Sequence, residues 1–129
     1  MGVGSLMKFI LRSLKDALAG LIYCFVTQHN MAIHAAVGLL VLLAALLLRV
    51  SAPEIILLLA AIFSVLVAEA FNTALEKAVD LATRDQNDLA HTAKDVAAGA
   101  VLLTAIFAVL AGLFVFVPRL WQLYLSKGS

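Results

Sequence analysis

Apolar positions along the chain gather into three long runs, and the polar positions around them mark where each run begins and ends. The first run covers 33–50, with His34 near its start and Arg49 near its end. The second covers 55–68 and continues past Glu69 through Ala70, Phe71, Ala74 and Leu75. The third, 97–117, is 21 residues long and carries no charge. About 20 helical residues cross the hydrocarbon core of a bilayer. The third run therefore spans outright, and the other two span if their polar ends lie at the interface or face protein. Ser51-Ala52-Pro53 makes a tight connection. Pro53 suits the first turn of a helix, where its missing N–H is no loss, and Glu54 suits the positive end of the helix dipole. A polar break at 84–88 separates the second and third spans, with Asp88 as candidate N-cap. Pro118 is expected to end or kink the third.

The leading segment, 5–27, has a different pattern. Lys8, Arg12, Lys15 and Ala19 recur at three- and four-residue spacing, while Leu6, Phe9, Ile10, Leu14, Leu18, Leu21 and Phe25 fill much of the remaining surface. This is an amphipathic helix with a basic face, suited to an anionic membrane surface. An ordinary partly buried helix is the structural alternative, but little soluble protein remains for it to pack against. The pattern predicts one all-α integral-membrane domain over 1–129, with a surface helix at 5–27 and membrane helices at 33–50, 54–83 and 89–117.

Composition agrees. Hydrophobic residues make up 64% of the 129 and charged residues 13%, too few polar groups to cover a surface in water. A net charge of +1 argues against a nucleic-acid binder. With Cys24 the sole cysteine, neither an intrachain disulfide nor a cysteine-based metal site is expected. No cleavable signal peptide is expected, because Lys8, Arg12 and Lys15 are spread through an apolar pattern. Lys8, Arg12, Lys15, Lys77, Arg84 and Lys94 fall on one side of the predicted spans, and Arg49, Arg119 and Lys127 on the other. That asymmetry puts the N-terminus and the 84–88 loop in the cytoplasm.

Glu69, Asn72, Glu76 and Asp80 lie at offsets of 0, 3, 7 and 11, which is one narrow stripe at about 100° per residue. Charges inside a membrane helix are costly and usually face protein or water for a functional reason. Across the loop come Lys94 and Asp95. An antiparallel pairing brings Lys94 to about the depth of Glu76, and Gln28, Asn30 and His34 are expected at the same level. The structural reading is a set of ion pairs, Glu76 or Asp80 with Lys94, holding helices together, although buried pairs add little net stability. The chain has no Walker A loop, no kinase-type glycine loop, no His-Glu-x-x-His and no nucleophile elbow. Carboxylates for a hard cation, a lysine for phosphate and a deep carboxylate at headgroup level remain. That set is compatible with moving a phosphate from a soluble nucleotide to a membrane-held alcohol. It is equally compatible with a cation or proton pathway.

The string Glu69-Ala-Phe-Asn72-Thr-Ala-Leu-Glu76-Lys-Ala-Val-Asp80, followed by Ala93-Lys94-Asp95-Val-Ala-Ala-Gly99, closely resembles the signature of the prokaryotic diacylglycerol kinase and undecaprenol kinase family. The resemblance extends over nearly the whole chain, including Gly20-Leu21 and the Asn30…Ile33-His34 element. It implies homotrimers of three-span subunits with a surface helix, and active sites shared between subunits at the cytoplasmic face of the bacterial inner membrane. It implies ATP as phosphoryl donor and Mg2+ as cofactor. By residue match, Glu69 would be the general base on the lipid hydroxyl, with Ala98 beside the lipid. Glu76 and Gln28 would hold the metal, and Asn72 and Asp80 would support the site. Lys94 and Asp95 would contact nucleotide, joined more loosely by Arg12 and by Asp85, Gln86 and Asn87 of the loop.

One departure matters. Where the family commonly reads Glu-Arg-Asn-x-Arg-Ile-His, this chain reads Gln28-His29-Asn30-Met31-Ala32-Ile33-His34. An amide oxygen can ligate magnesium without contributing charge, so weaker metal binding is expected. The expected function is ATP-dependent phosphorylation of undecaprenol or diacylglycerol, with the motif strings closer to the undecaprenol branch. The alternatives are a non-enzymatic transporter or channel using the same carboxylates, or a kinase homologue weakened by Gln28. Trp121 and Tyr124 are expected as interfacial anchors, Ala70, Ala74 and Ala78 as a small-residue packing seam, and His91 as a solvent-facing residue.

Overall fold

The computed structural model describes residues 2–83 and 87–127. They form α1 (Val3–Thr27), α2 (His29–Leu47), α3 (Ala52–Ala82) and α4 (Asp88–Lys127). The last three are long and apolar enough to cross a membrane. At 1.5 Å per residue α2 is about 28 Å long, close to the hydrocarbon thickness. By the same measure α3 and α4 reach about 46 and 60 Å and must project beyond it. The projecting part of α3 is the charged stretch after Glu69.

The helices form an open plate. α3 is its centre, packed along much of its length on α4 and on its other flank against α2, while α1 touches α2 and α3 sparingly. Accessible surface totals 9750 Å², against about 6,600 Å² expected for a compact soluble monomer of this mass. Leu, Ile, Val and Phe side chains on every helix account for much of that excess, which suits a lipid solvent and no aqueous one. α2 comes close to α3 at Gly38, where a Cβ would stand 2.8 Å from Ile62 Cγ2.

Local chemistry explains each helix boundary. α1 and α2 are separated by Gln28 alone, an extended residue whose backbone N–H donates to Cys24 O at 2.9 Å. The first span thus begins at His29, earlier than the 33 expected from hydropathy. It also stops earlier, at Leu47, instead of running to 50. Val50 N–H donates to Ala45 O and Arg49 N–H to Leu46 O, at 2.9 and 3.1 Å. That is the paired bonding of a Schellman cap, with Arg49 at φ 51° where glycine is usual. Val50 and Ala45 join Leu58 and Val115 in the buried cluster beneath the turn, supplying the apolar contact that goes with this cap.

Two expectations at α4 are corrected. Asn87, not Asp88, caps the helix: its Oδ1 accepts from Leu89 and Ala90 N–H at 2.8 and 3.3 Å. Asp88 lies in the first turn. Pro118 does not end α4, which continues through it to Lys127. The proline removes the donor that Phe114 O would otherwise have had, and packed membrane helices tolerate such a break; the Arg119 side chain donates from Nη1 to Val115 O at 3.0 Å.

Candidate active site

The polar stripe predicted on α3 forms a column graded by depth. Glu69 and Thr73 are 3% exposed, Asn72 and Glu76 are half-buried, and Asp80 is exposed. From Glu69 to Asp80 the column runs about 16 Å along the helix. The gradient follows from packing, since α2 covers the inner part of the stripe and leaves the outer turns open.

Each level of the column has its own partner. At the deep end, His34 of α2 places Nε2 3.3 Å from Glu69 Oε1, with the Glu69 side chain 4% and the His34 side chain 29% exposed. One turn on, Asn72 Nδ2 donates to Glu76 Oε1 at 3.1 Å. Asn72 Oδ1 is buried and accepts no hydrogen bond among the described residues. At the open end, Lys94 Nζ of α4 donates to Asp80 Oδ1 at 2.6 Å. Beside it on α4, His91 Nδ1 lies 3.0 Å from Asp95 Oδ2, both side chains exposed. Lys94 therefore stands one turn nearer the loop than the expected level with Glu76, and the carboxylates lie along a ladder instead of gathering at one depth.

Other predicted site residues are less engaged. Arg12 is exposed on α1, and Ala98 is exposed on α4 one turn beyond Lys94. Gln28 sits at the α1–α2 break, its Nε2 donating to Thr27 Oγ1 at 3.4 Å. Among the described residues none of these three hydrogen-bonds to the column. Asn87 uses its side-chain oxygen as the α4 cap. Asp85 and Gln86 lie outside the described residues. Sequence reasoning passed over His34 as the partner of Glu69, and passed over Thr73. The available signal for His34 was a lone imidazole at the start of an apolar run.

A second polar centre, at the far end of the bundle, was not foreseen. Arg119 Nη1 and Nη2 donate to Glu54 Oε1 and Oε2 at 2.8 and 2.6 Å. Glu54 Oε2 also accepts the Ser51 backbone N–H at 3.1 Å and the Ser51 hydroxyl. Glu54 had been read only as complementing the helix dipole.

A divalent cation can be weighed against these donors. Among the described residues no three His, Cys, Asp or Glu side chains converge on one point. Glu76 with the unpartnered Asn72 Oδ1 is a different arrangement, one carboxylate and one neutral oxygen. It fits an ion that takes few protein ligands and completes its shell with phosphate and water.

Comparison with known proteins agrees with the motif. Residues 15–116 match the sequence model of a family described as prokaryotic diacylglycerol kinase. The chain is 44% identical over 115 residues to a diacylglycerol kinase of Synechocystis sp., covering 88% of this chain and 66% of that protein, so it spans just under two thirds of that relative. It is 41% identical over 97 residues to the undecaprenol kinase of Bacillus subtilis, covering 73% of this chain and 76% of that one. With the family matched across the column and all three spans, the chain belongs to the prokaryotic diacylglycerol kinase family.

Proposed function

We propose that this protein is a lipid kinase of the bacterial inner membrane that transfers the γ-phosphoryl group of ATP to the hydroxyl of a membrane lipid alcohol, undecaprenol or diacylglycerol. The observation that carries this reading is Glu69, a carboxylate 3% exposed inside a membrane helix and facing His34. Such a group is too costly to keep there for packing alone.

Glu69 acts as general base, accepting the proton of the lipid hydroxyl as its oxygen attacks the γ-phosphorus. Ala98 lines the lipid side. Lys94 neutralises charge on the transferring phosphoryl group, and Asp80 holds its ammonium in place until nucleotide arrives. Asp95 and Arg12, with the loop residues Asp85, Gln86 and Asn87, contact the nucleotide. Glu76, Asn72 and Gln28 would hold Mg2+, which when bound neutralises phosphate charge. The transfer is in-line, with the column holding the nucleotide at its open end and the alcohol at its deep end.

The N-terminus and the 84–88 segment face the cytoplasm, and α1 lies on the membrane surface with Lys8, Arg12 and Lys15 toward headgroups. The assembly is a homotrimer. In support, α3 leaves Ile56, Ala60, Phe63, Val67, Phe71, Ala74 and Ala78 exposed along one face, a near-heptad stripe with small residues that permit close approach. Ala70 of the expected small-residue seam is half-buried instead. A channel reading is less well supported, because the groove between α2, α3 and α4 beside the column is apolar along its length. Purified protein in vesicles with γ-labelled ATP, Mg2+ and either alcohol provides the test. Label in one of the two lipids is expected. Label in neither, together with ion flux across the vesicles, would overturn the kinase reading.

A further inference from the structure

A buried base that has taken a proton from its substrate must lose it before the next cycle. Glu69 would hold that proton on a side chain only 4% exposed, and its own helix offers a poor way out. From Glu69 to the end of α3 at Ala82 is about 20 Å at 1.5 Å per residue. The next polar groups on that route are Thr73, 3% exposed, and Asn72, whose amide nitrogen donates to Glu76. Neither a hydroxyl nor an amide takes up a proton near neutral pH.

α2 offers a shorter route. His34 sets Nε2 3.3 Å from Glu69 Oε1, and its side chain is 29% exposed. It stands in the second turn of α2, about 8 Å from the helix start at His29. Asn30, four residues earlier and therefore on the same face one turn nearer that start, is exposed. One ring thus touches the sealed carboxylate and also reaches toward the open end of its helix. Imidazole is the side chain that both takes up and releases protons near neutral pH.

We propose that His34 carries the proton away from Glu69 after each phosphoryl transfer. The proposal rests on the kinase reading and adds to it a residue that works through Glu69 without touching the substrate. As the alcohol oxygen bonds to the γ-phosphorus, the bond from that phosphorus to the β–γ bridging oxygen breaks, and ADP leaves with the electron pair. The alcohol's proton goes to Glu69. Glu69 then gives it to Nε2 of the imidazole, in the tautomer whose hydrogen is on Nδ1, and the carboxylate is restored. The imidazolium turns toward the Asn30 side of α2, loses the same proton to water, and returns. The balance is one alcohol and one ATP giving one phosphorylated lipid, one ADP and one proton. Rotamer changes of side chains with access to solvent take picoseconds to nanoseconds, whereas kinases turn over at about 1–100 per second, so the swing of the ring does not limit the cycle.

The test is rapid-quench kinetics on the full-length protein in vesicles, with γ-labelled ATP, Mg2+ and either undecaprenol or diacylglycerol. In His34→Gln the first labelled lipid per site is expected at the unaltered rate, because a base entering its first cycle is free of the proton. Each later turnover waits on the trapped proton. The steady-state rate is therefore expected to fall by about 10²-fold, the low end of what a positioned proton-transfer group contributes. Imidazole in the buffer should restore the steady-state rate with saturation and leave the first turnover unchanged. His34→Ala should behave alike, with stronger rescue because it leaves room for the added base. Glu69→Gln should show neither a fast first turnover nor rescue. The size of the first-turnover burst counts folded sites, so a partly unfolded variant loses burst amplitude and keeps its rate constant. A first turnover as slow as the later ones overturns the proposal, because His34 would then only orient Glu69. So does an unchanged steady-state rate, which would send the proton out on the product phosphate. So does indifference of both variants to imidazole. If the unaltered protein labels neither lipid, the kinase reading falls and this proposal with it. If it labels one and the variants show no fast first turnover, this proposal falls alone.

Discussion

The two ends of the α3–α4 pair both carry ionised side chains, and they are built on opposite plans. At the end nearer the α2–α3 turn, Glu54 meets both arms of Arg119 and both donors of Ser51, and Arg119 also reaches the Val115 carbonyl. Each strong donor and acceptor there has a partner. At the other end the column is under-committed. Among the described residues, Glu69 is buried with an imidazole 3.3 Å away, Asn72 keeps a buried oxygen without a donor, and Lys94 is paired with an exposed carboxylate. Polar networks that exist to stiffen a fold are saturated, because every unmet buried group costs free energy. Unmet capacity is tolerated where a ligand completes it. The contrast supports reading the Glu54–Arg119 pair as a clasp and the Glu69–Lys94 column as the proposed site.

The largest effect that could break this comparison is at Glu69. Glu69→Gln is expected to lower kcat by about 10²–10⁴-fold, the usual contribution of a general base. Its thermal unfolding midpoint should not fall, because an amide is cheaper to bury than a carboxylate. Near-normal turnover would remove Glu69 from the chemistry, and a collapse in stability would make it a clasp like Glu54. Next comes Lys94→Met, expected to cost about 10²–10³-fold in kcat, as for loss of one charge-stabilising donor. Asp80→Asn should cost less, because the lysine remains. Equal losses would show that the pair matters only as a pair. Glu54→Gln should reverse the pattern, lowering the unfolding midpoint while the kcat of the folded fraction stays unchanged. A selective loss of kcat would erase the distinction between the two ends. Smallest is Gln28→Glu, which is expected to lower the half-saturating Mg2+ concentration by adding a charge to the metal's surroundings. An unchanged Mg2+ titration would detach Gln28 from the metal.

The sequence by itself determined the elements that depend on local order. Hydropathy placed three spans, helical period put Glu69, Asn72, Glu76 and Asp80 on one face, and the motif across 69–99 identified the family. Only the tertiary structure decided which side chains meet. Lys94 takes Asp80 instead of standing level with Glu76, His34 lies against Glu69, and Arg119 reaches back across 65 positions to Glu54. These pairings depend on the register and rotation of one helix against another. That register depends on close contacts between helices, such as Gly38 against Ile62, and the period of a single helix carries no record of it. Boundaries divided the same way. The Schellman turn at Arg49 rests on backbone partners that hydropathy does not encode, and α4 continues past Pro118 although proline is a usual stop signal.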